Sequence, residues 1–504
     1  MNIRARLWNP YAVVFLGSAC TMIIELVASR LIAPQLGVSL YTWTSVIGVI
    51  LAGISLGNYL GGRLADRHAS TPFLGYIFAF SSLASLSILA LGKLMQEAVL
   101  PTWLPLMVWV VVYIAAIFFI PSVLLGCVSP IVVKLSLTSL AHTGATVGKI
   151  YAWSTVGSIV GTFATGFFLI SWFGTKTVIL LVAALLMVVG LWFITDTRRR
   201  TLQTVSLLLA VVFGGAVFLL WQQEALAEEC LRETNYFCIK VSDQDGSEGK
   251  VRRLVLDRLV HSYSNLEDPT DLVYGYEQTY AKVMAPMMEQ RPDLSALFIG
   301  GGGYTFPRYL EAMLPDSHLE VVEIDPEVTE VAFEMLGLRR DTRMGIHDMD
   351  ARLFLVQHEP EAKYDVVFGD AFNDYSVPYH LTTLEFAQMV RGVLWDDGLY
   401  LVNIVDGGPR GHFFRAYVRT LQEVFPHVAV IPNNDDWRAS IRNTFVILAS
   451  PAPLPLAELA AQTDLLTQED LDAYLSLEEP LVLRDDYVPV DNLLAPVFED
   501  SARR

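Results

Sequence analysis

The chain has 504 residues, of which 53% are hydrophobic and only 17% charged, and its formal net charge is -18. So apolar a composition excludes an ordinary soluble protein, and the length excludes a single core. The acidic balance argues against nucleic acid as a partner, because phosphate binding needs a basic face and none is visible.

The apolar excess lies before about Trp221, whereas from Gln222 onward the composition is that of a globular protein rich in acids. A membrane span needs about 20 mostly apolar residues. Seven stretches meet that requirement: 11–33, 42–61, 72–92, 103–126, 150–172, 176–195 and 203–221. The first is not a cleavable signal peptide, since it is long, contains Glu25 and is followed by further spans.

Lys and Arg in short loops set orientation. Arg4, Arg6, Arg63, Arg67, Lys134, Lys149, Arg198, Arg199 and Arg200 fall on one side, against Lys93 and Lys176 on the other. This predicts a cytoplasmic N-terminus and, after seven spans, an extracytoplasmic domain beyond Trp221. Glu25 and Arg30 in the first span and Asn58 in the second are costly at membrane depth. They are expected to pair, to reach the outer surface or to face a wet cavity. "GNYLGGRLADRH", residues 57–68, resembles a loop of major-facilitator transporters, and its glycines are expected to bring helices close together.

Cys20 and Cys127 sit in apolar runs and read as packing residues. Cys230 and Cys238 follow the last apolar run, with no His or further Cys nearby to complete a metal site. They are either two free thiols or a disulfide, and a disulfide would require an oxidising compartment.

Beyond the spans, "NYFCIKVSDQDGSEGKVRRLVLD", residues 235–257, alternates apolar and polar residues around a turn and predicts a β-hairpin. A helix, "YGYEQTYAKVMAPMM", follows. Strands and helices then alternate, with strands expected at 295–299, 318–324, 343–347, 364–369 and 398–404 and a terminal pair near 427–449. That order predicts a doubly wound, mostly parallel sheet that binds ligands at the carboxyl ends of its central strands. Four parts are expected: a transmembrane bundle over 1–222, a small β domain with a connecting helix over 223–290, a Rossmann-like domain over 291–450, and a tail over 451–504 that packs on it.

"ALFIGGGGYTFPRYLEAMLPDSHLEVVEID", residues 296–325, is a strand, four glycines, a helix and a second strand ending in acids. Gly300, Gly301, Gly302 and Gly303 would let backbone approach a ligand, and Glu323 at the end of the next strand is placed to accept ribose hydroxyls. Asp350 stands at the end of a third strand, suited either to an adenine amino group or to a helix N-cap. Asp370 ends a fourth, after a nearly continuous apolar run. No phosphate-binding lysine follows the glycines, which disfavours nucleoside triphosphates.

In order, "LVLDRLVHS", "YEQTYAKVMAP", "LFIGGGGY", "VVEIDPEV", "DMDARLFL" and "YDVVFGDAFNDYSVPYHLTTLEF" resemble successive blocks of the spermidine synthase, or polyamine aminopropyltransferase, family over roughly residues 234–450. The front of the chain resembles the membrane-embedded bacterial branch of that family, and "LRDDYVPVDNLL", residues 483–494, resembles its ending. The resemblance implies a small β-hairpin domain before a methyltransferase-type Rossmann domain, in a bacterial inner membrane. It also implies decarboxylated S-adenosylmethionine as co-substrate, without a tightly bound cofactor, metal or nucleic acid, and leaves room for a homo-oligomer.

On this resemblance the donor would lie over Gly300–Gly303, with Glu323 and Asp325 at its ribose and Asp350 and Ala351 near its adenine. Asp370 would take or orient the proton of an incoming amine. Tyr276, Tyr375, Tyr379 and Trp437 offer aromatic faces to a cation. Soluble members carry acids at three positions where this chain has Gly303, Gln278 and Asn373. Asp374, one position late, and the tail acids Asp485, Asp486 and Asp491 are candidates to replace them. The missing acids leave two alternatives open: an S-adenosylmethionine-dependent methyltransferase, or a transporter or sensor that binds a polyamine or nucleoside without turnover.

Overall fold

Residues 9–37, 39–95, 101, 103–137, 142–195, 200–227, 229–246, 249–357, 363–371, 377–408, 410–434 and 436–502 are described by the computed structural model. They form two compact units, divided between Asn235 and Tyr236.

The first unit is helical: α1 (Pro10–Leu36), α2 (Leu40–His68), α3 (Thr71–Met95), α4 (Leu106–Gly126), α5 (Val128–Ser136), α6 (Thr143–Ala164), α7 (Ile170–Phe173), α8 (Thr175–Thr195) and α9 (Arg200–Gln222). Cys127 joins α4 to α5, and a π-helical turn at Thr165–Leu169 joins α6 to α7. Among the described residues, seven helices are long and apolar enough to cross a membrane, each overlapping one of the seven expected stretches. Local chemistry sets the ends. Asn9 caps α1 by accepting from Tyr11 N–H at 3.0 Å, Pro10 fits its first turn, and Gly37 at φ 70° closes it.

Helix α1 packs along α6, α2 along α4 and α3 along α8. At each contact a glycine meets backbone: Gly157 faces Phe15, Gly57 faces Val123 and Gly75 faces Gly190. The glycine-rich 57–68 segment therefore brings helices together as expected. Asn58 lines a cavity of about 170 Å³ with Ser18, Thr21 and Ser129. Arg30 donates to the carbonyl of Thr234, while Glu25 Oε2 is buried with no partner among the described residues.

The two units divide after Asn235 rather than at the expected 222, and described residues of the intervening segment bond to the helices. Glu233 accepts from Thr175 N–H at 2.8 Å, and Lys176 reaches the Ala227 carbonyl at 2.7 Å and Glu229 at 3.1 Å. A two-residue strand, β1 (Arg232–Glu233), lies in this segment. Cys230 and Cys238 are disulfide-bonded, while Cys20 and Cys127 are buried free thiols.

The second unit begins with three antiparallel strands, β2 (Cys238–Asp243), β3 (Val251–Leu256) and β4 (Leu259–Asn265). The expected hairpin thus gains a strand. Its β3–β4 turn uses Asp257 at φ 54°, which takes the Cys238 N–H on its carboxylate, rather than a glycine. Helix α10 (Gly275–Gln290) leads into β5 (Ser295–Ile299), α11 (Thr305–Met313), β6 (His318–Glu323), α12 (Pro326–Met335), β7 (Gly345–Asp348), α13 (Ala351–Gln357), β8 (Tyr364–Gly369), α14 (Leu384–Val393), β9 (Leu394–Asp406), α15 (His412–Gln422), β10 (His427–Pro432) and β11 (Asn443–Ser450).

The seven-stranded sheet runs β10-β11-β9-β8-β5-β6-β7, parallel from β9 to β7 and antiparallel at β11 and β10. Alternate residues of β5 enter opposite cores: Leu297 and Ile299 on one face, Ala296 and Phe298 on the other. The tail belongs to the first of these cores through Leu471, Tyr474, Leu483, Val490 and Leu494. From β5 the chain winds outward to β7, then returns to the other side of β5 as β8. Such a reversal opens a crevice at the carboxyl ends of the two strands.

Candidate active site

Ile299 pairs with Gly369 in the parallel register, so the residues that follow each strand, Gly300 and Asp370, emerge side by side. Asp370 N–H donates to the Ile299 carbonyl at 2.9 Å. Gly300 has φ 98°, and a Cβ there would collide with the Asp370 carbonyl, so only glycine allows this approach.

Both oxygens of Asp370 are held. The Tyr276 hydroxyl donates to Oδ2 at 2.7 Å and Asn403 Nδ2 donates to Oδ1 at 2.9 Å. Burial pushes its pKa above the ordinary carboxylate range, while these two hydrogen bonds pull it back. Asn403 Oδ1 is buried with no hydrogen-bond partner among the described residues. Two cavities meet here, each lined by Tyr276, His261 and Asp370. A small one of about 40 Å³ lies over the glycine loop, and a larger one of about 730 Å³ opens toward Asn403 and Asn443.

The small cavity contains a carboxylate that the motifs alone did not identify. Glu277 is 2% exposed, and its Oε2 has no partner among the described residues. Burial, then the nearby charge of Asp370, hold its pKa well above the ordinary range. Its neighbour Gln278 turns away and donates from Nε2 to the Leu272 carbonyl at 2.8 Å, a structural bond. The α10 carboxyl that lines the small cavity is therefore at the position adjacent to Gln278. The helical spacing of Tyr276, Glu277, Tyr280 and Met284, all buried, is the signal that marks this face.

At Gly303 a Cβ would collide with Ser262 Oγ, so the hairpin strand β4 occupies the volume where soluble relatives are expected to carry an acid. Gly302, at φ 49°, has open space around it, and a Cβ on Gly301 would meet the Tyr304 ring at 2.7 Å. Glu323 clamps this loop. Its Oε2 accepts from Gly301 N–H at 2.8 Å and Gly302 N–H at 3.2 Å, and its Oε1 accepts from Asp325 N–H at 3.0 Å. Burial raises its pKa and the three N–H groups oppose that rise.

Other expected site residues have structural partners. Asp325 caps α12 by accepting from Glu327 N–H at 3.1 Å. Asp350 caps α13 through Leu353 N–H at 3.0 Å and meets His380 Nε2 at 2.7 Å, while Ala351 is buried at the first turn of that helix. Trp437 is 3% exposed, packs edge-on against Phe445 and Tyr474 and already carries the Arg438 guanidinium over its ring at 4.7 Å, so its face is taken within the fold. Tyr379 is exposed beside His380. Asp485 forms a two-pronged ion pair with Arg352, and neither it nor Asp486 or Asp491 lines either cavity. Asn373, Asp374 and Tyr375 lie outside the described residues.

The strand order, the glycine loop after β5 and the acid after β8 define a Rossmann-like, methyltransferase-type domain. No family model matches the chain. Over 138 residues it is 30% identical to the polyamine aminopropyltransferase of Vibrio vulnificus, covering 27% of this chain and 46% of that protein. It is also 30% identical over 120 residues to the eEF1A lysine and N-terminal methyltransferase of Mus musculus, covering 22% of this chain and 17% of that one. A probable spermidine synthase from Corynebacterium glutamicum superimposes with a TM-score of 0.44 at 23% identity, covering 50% of this chain and 94% of that one. The chain thus spans less than half the length of the two relatives. The similarity to polyamine aminopropyltransferases is confined to its C-terminal half, and both relatives are transferases by name.

Proposed function

We propose that the globular unit transfers an aminopropyl group from decarboxylated S-adenosylmethionine to an amine, releasing methylthioadenosine, and that the helical unit holds it in a membrane. Asp370 carries this reading. It is a carboxylate at the sheet's switch point, between a glycine loop suited to a nucleoside and an open cavity, and its raised pKa suits a proton acceptor. A sulfonium leaves without a Lewis acid, so the reaction needs only a deprotonated amine held in line behind the reacting carbon.

Glu277 supports the decarboxylated donor. Beside the glycine loop, a buried carboxyl with no partner among the described residues would give up its proton to pair with the ammonium end of an aminopropyl chain, and once ionised would repel a donor that keeps its own carboxylate. Glu323 would meet the ribose through the lone pairs left after its three backbone bonds, and Asp350 would approach the adenine from the end of β7. Methyl transfer from S-adenosylmethionine is the second reading, favoured by Gly303, where Ser262 fills the place of an expected acid.

Calorimetry on the detergent-purified protein with decarboxylated S-adenosylmethionine, S-adenosylmethionine and methylthioadenosine, followed by mass spectrometry with amines present, separates the two. A product heavier by an aminopropyl group is expected; a methylated product, or binding without product, would overturn the assignment. We further place the globular unit outside a bacterial inner membrane, supported by the bias of Lys and Arg among the loops and by the Cys230–Cys238 disulfide. An exported phosphatase fused after Arg504 should be active, and an inactive fusion would reverse that orientation.

A further inference from the structure

Three residues that line the small cavity each bury a polar atom with no hydrogen-bond partner among the described residues: Ser262 Oγ, Glu277 Oε2 and the Tyr280 hydroxyl. These residues are 2%, 2% and 1% exposed, so solvent does not satisfy them. Leaving such groups unpaired costs stability, and three around one cavity mark a place built for a ligand. Their neighbours on the same elements are paired. Ser264, two residues along β4, meets Thr305 Oγ1 at 3.0 Å, and Tyr276, one turn back along α10, bonds Asp370. The Tyr280 ring is packed against Phe306 and Phe368, each at 5.3 Å, which fixes where its hydroxyl sits.

All three orphaned atoms can accept a hydrogen bond, and a primary ammonium carries three N–H donors on one head. At about 40 Å³ the cavity holds a group of a few atoms. The titratable groups facing Glu277 around it are His261 on β4, Tyr276 and Tyr280 on α10, and Asp370 after β8, with no Lys or Arg among the described residues of the lining. Burial and the charge of Asp370 favour the protonated form of Glu277 in the empty site. A lone carboxylate is costly there, whereas a carboxylate against an ammonium is a neutral pair whose remaining hydrogens the two hydroxyls take up.

We propose that Ser262, Glu277 and Tyr280 form a proton-exchange pocket in which the donor's terminal ammonium replaces the proton of Glu277, so that donor affinity follows the pH of the compartment the site faces. This rests on the aminopropyl-transfer reading and adds the regulation of its donor site. Binding sends one proton from the Glu277 carboxyl to solvent and brings one ammonium into its place. The charge of the cavity is unchanged, and no bond of the donor is made or broken.

Decarboxylated S-adenosylmethionine and methylthioadenosine are the two probes, since the second lacks the aminopropyl chain and its ammonium. Each is titrated by calorimetry into the full-length protein across a range of pH and in two buffers of different ionisation enthalpy. On the acid side the ratio of the two affinities should rise about tenfold per pH unit in favour of the decarboxylated donor, the slope of one released proton. It should level off once Glu277 ionises in the free protein. Glu277→Gln should remove both the slope and the released proton. Ser262→Ala and Tyr280→Phe each delete one hydroxyl and should weaken the decarboxylated donor about tenfold. Methylthioadenosine affinity should stay nearly unchanged in all three variants, which reports that they are folded.

A ratio independent of pH would overturn the proposal. So would a released proton that persists in Glu277→Gln, since it would then belong to Asp370, or hydroxyl deletions that weaken both ligands equally, since the three atoms would then hold only a buried water. Mass spectrometry with amines present separates this inference from the one beneath it. An aminopropylated product with a pH-independent ratio keeps the transfer reaction and overturns the exchange, whereas proton-linked binding without that product upholds the exchange and overturns the transfer.

Discussion

Glycine acts differently in the two units. In the helical unit Gly57, Gly75 and Gly157 lie where one helix backbone rests on another, and a Cβ at any of them would meet main-chain atoms of the facing helix. In the globular unit Gly300 turns the chain at φ 98° and Gly303 yields its side-chain volume to Ser262. The first kind of glycine is required by close backbone packing between apolar helices. The second is required by a site. The same residue type therefore tolerates change for different reasons in each unit, and substitutions can separate them.

The largest expected effect is in the bundle. Gly57→Leu would drive a side chain into the Val123 carbonyl, which cannot move without breaking α4, so folded detergent-extracted protein should be lost. Gly62→Leu, on the same helix but facing open space, should be recovered at wild-type yield by size-exclusion chromatography. Equal yields for the two would refute close packing along α2.

Asp370→Asn comes next. Removing a positioned proton acceptor typically lowers turnover by about 10²–10⁴-fold. Asn keeps the shape, so methylthioadenosine affinity should change by no more than about twofold, and a parallel loss of binding would point to a structural role instead. Gly303→Ala follows, with an expected loss of about 1–3 kcal/mol from overpacking against Ser262. Adding Ser262→Gly should recover most of it. Additive losses in the denaturant midpoints would mean that the two side chains do not compete for one volume.

A smaller effect is expected at Asn403. Its hydrogen bond lowers the Asp370 pKa, so Asn403→Leu should let that pKa rise further. Because the ionised form accepts the proton, the acidic limb of kcat/KM should move to higher pH. Movement to lower pH would remove Asp370 from the role of base.

How far the sequence discloses this arrangement differs from residue to residue. The seven apolar stretches are legible because length and composition suffice for a span, and β8 is legible because a strand covered on both faces reads as a continuous apolar run. Asp370 follows from β8. Glu277 does not follow from motif alignment, since one residue along a helix is a rotation of about 100°. Alignment put the polar contact at 278, whereas the phase set by Tyr276 and Tyr280 puts it at 277. Trp437 shows the converse. Its ring suggests a platform for a ligand's cation, yet it is buried against Phe445 and Tyr474 and the cation over it is the chain's own Arg438.

The last prediction turns on Asp406, at the end of β9, a strand that the sequence suggests only from 398 to 404. Its side chain is fully buried and accepts from Gly407 N–H and Phe414 N–H, each at 2.7 Å. Burial nonetheless pushes its pKa up to about 7, with Arg415 opposing the rise. The folded chain therefore holds this proton more tightly than the unfolded one, whose carboxyl titrates near about 4. The resulting stabilisation is fully present below about pH 4 and is lost as pH rises through about 7. Glu277, Glu323 and Asp370 are raised in the same direction by burial. The melting temperature of the globular unit should therefore fall between about pH 5 and pH 8, and Asp406→Asn should flatten part of that slope whatever it does to the absolute value. A slope unchanged in the variant would show that Asp406 is ionised throughout.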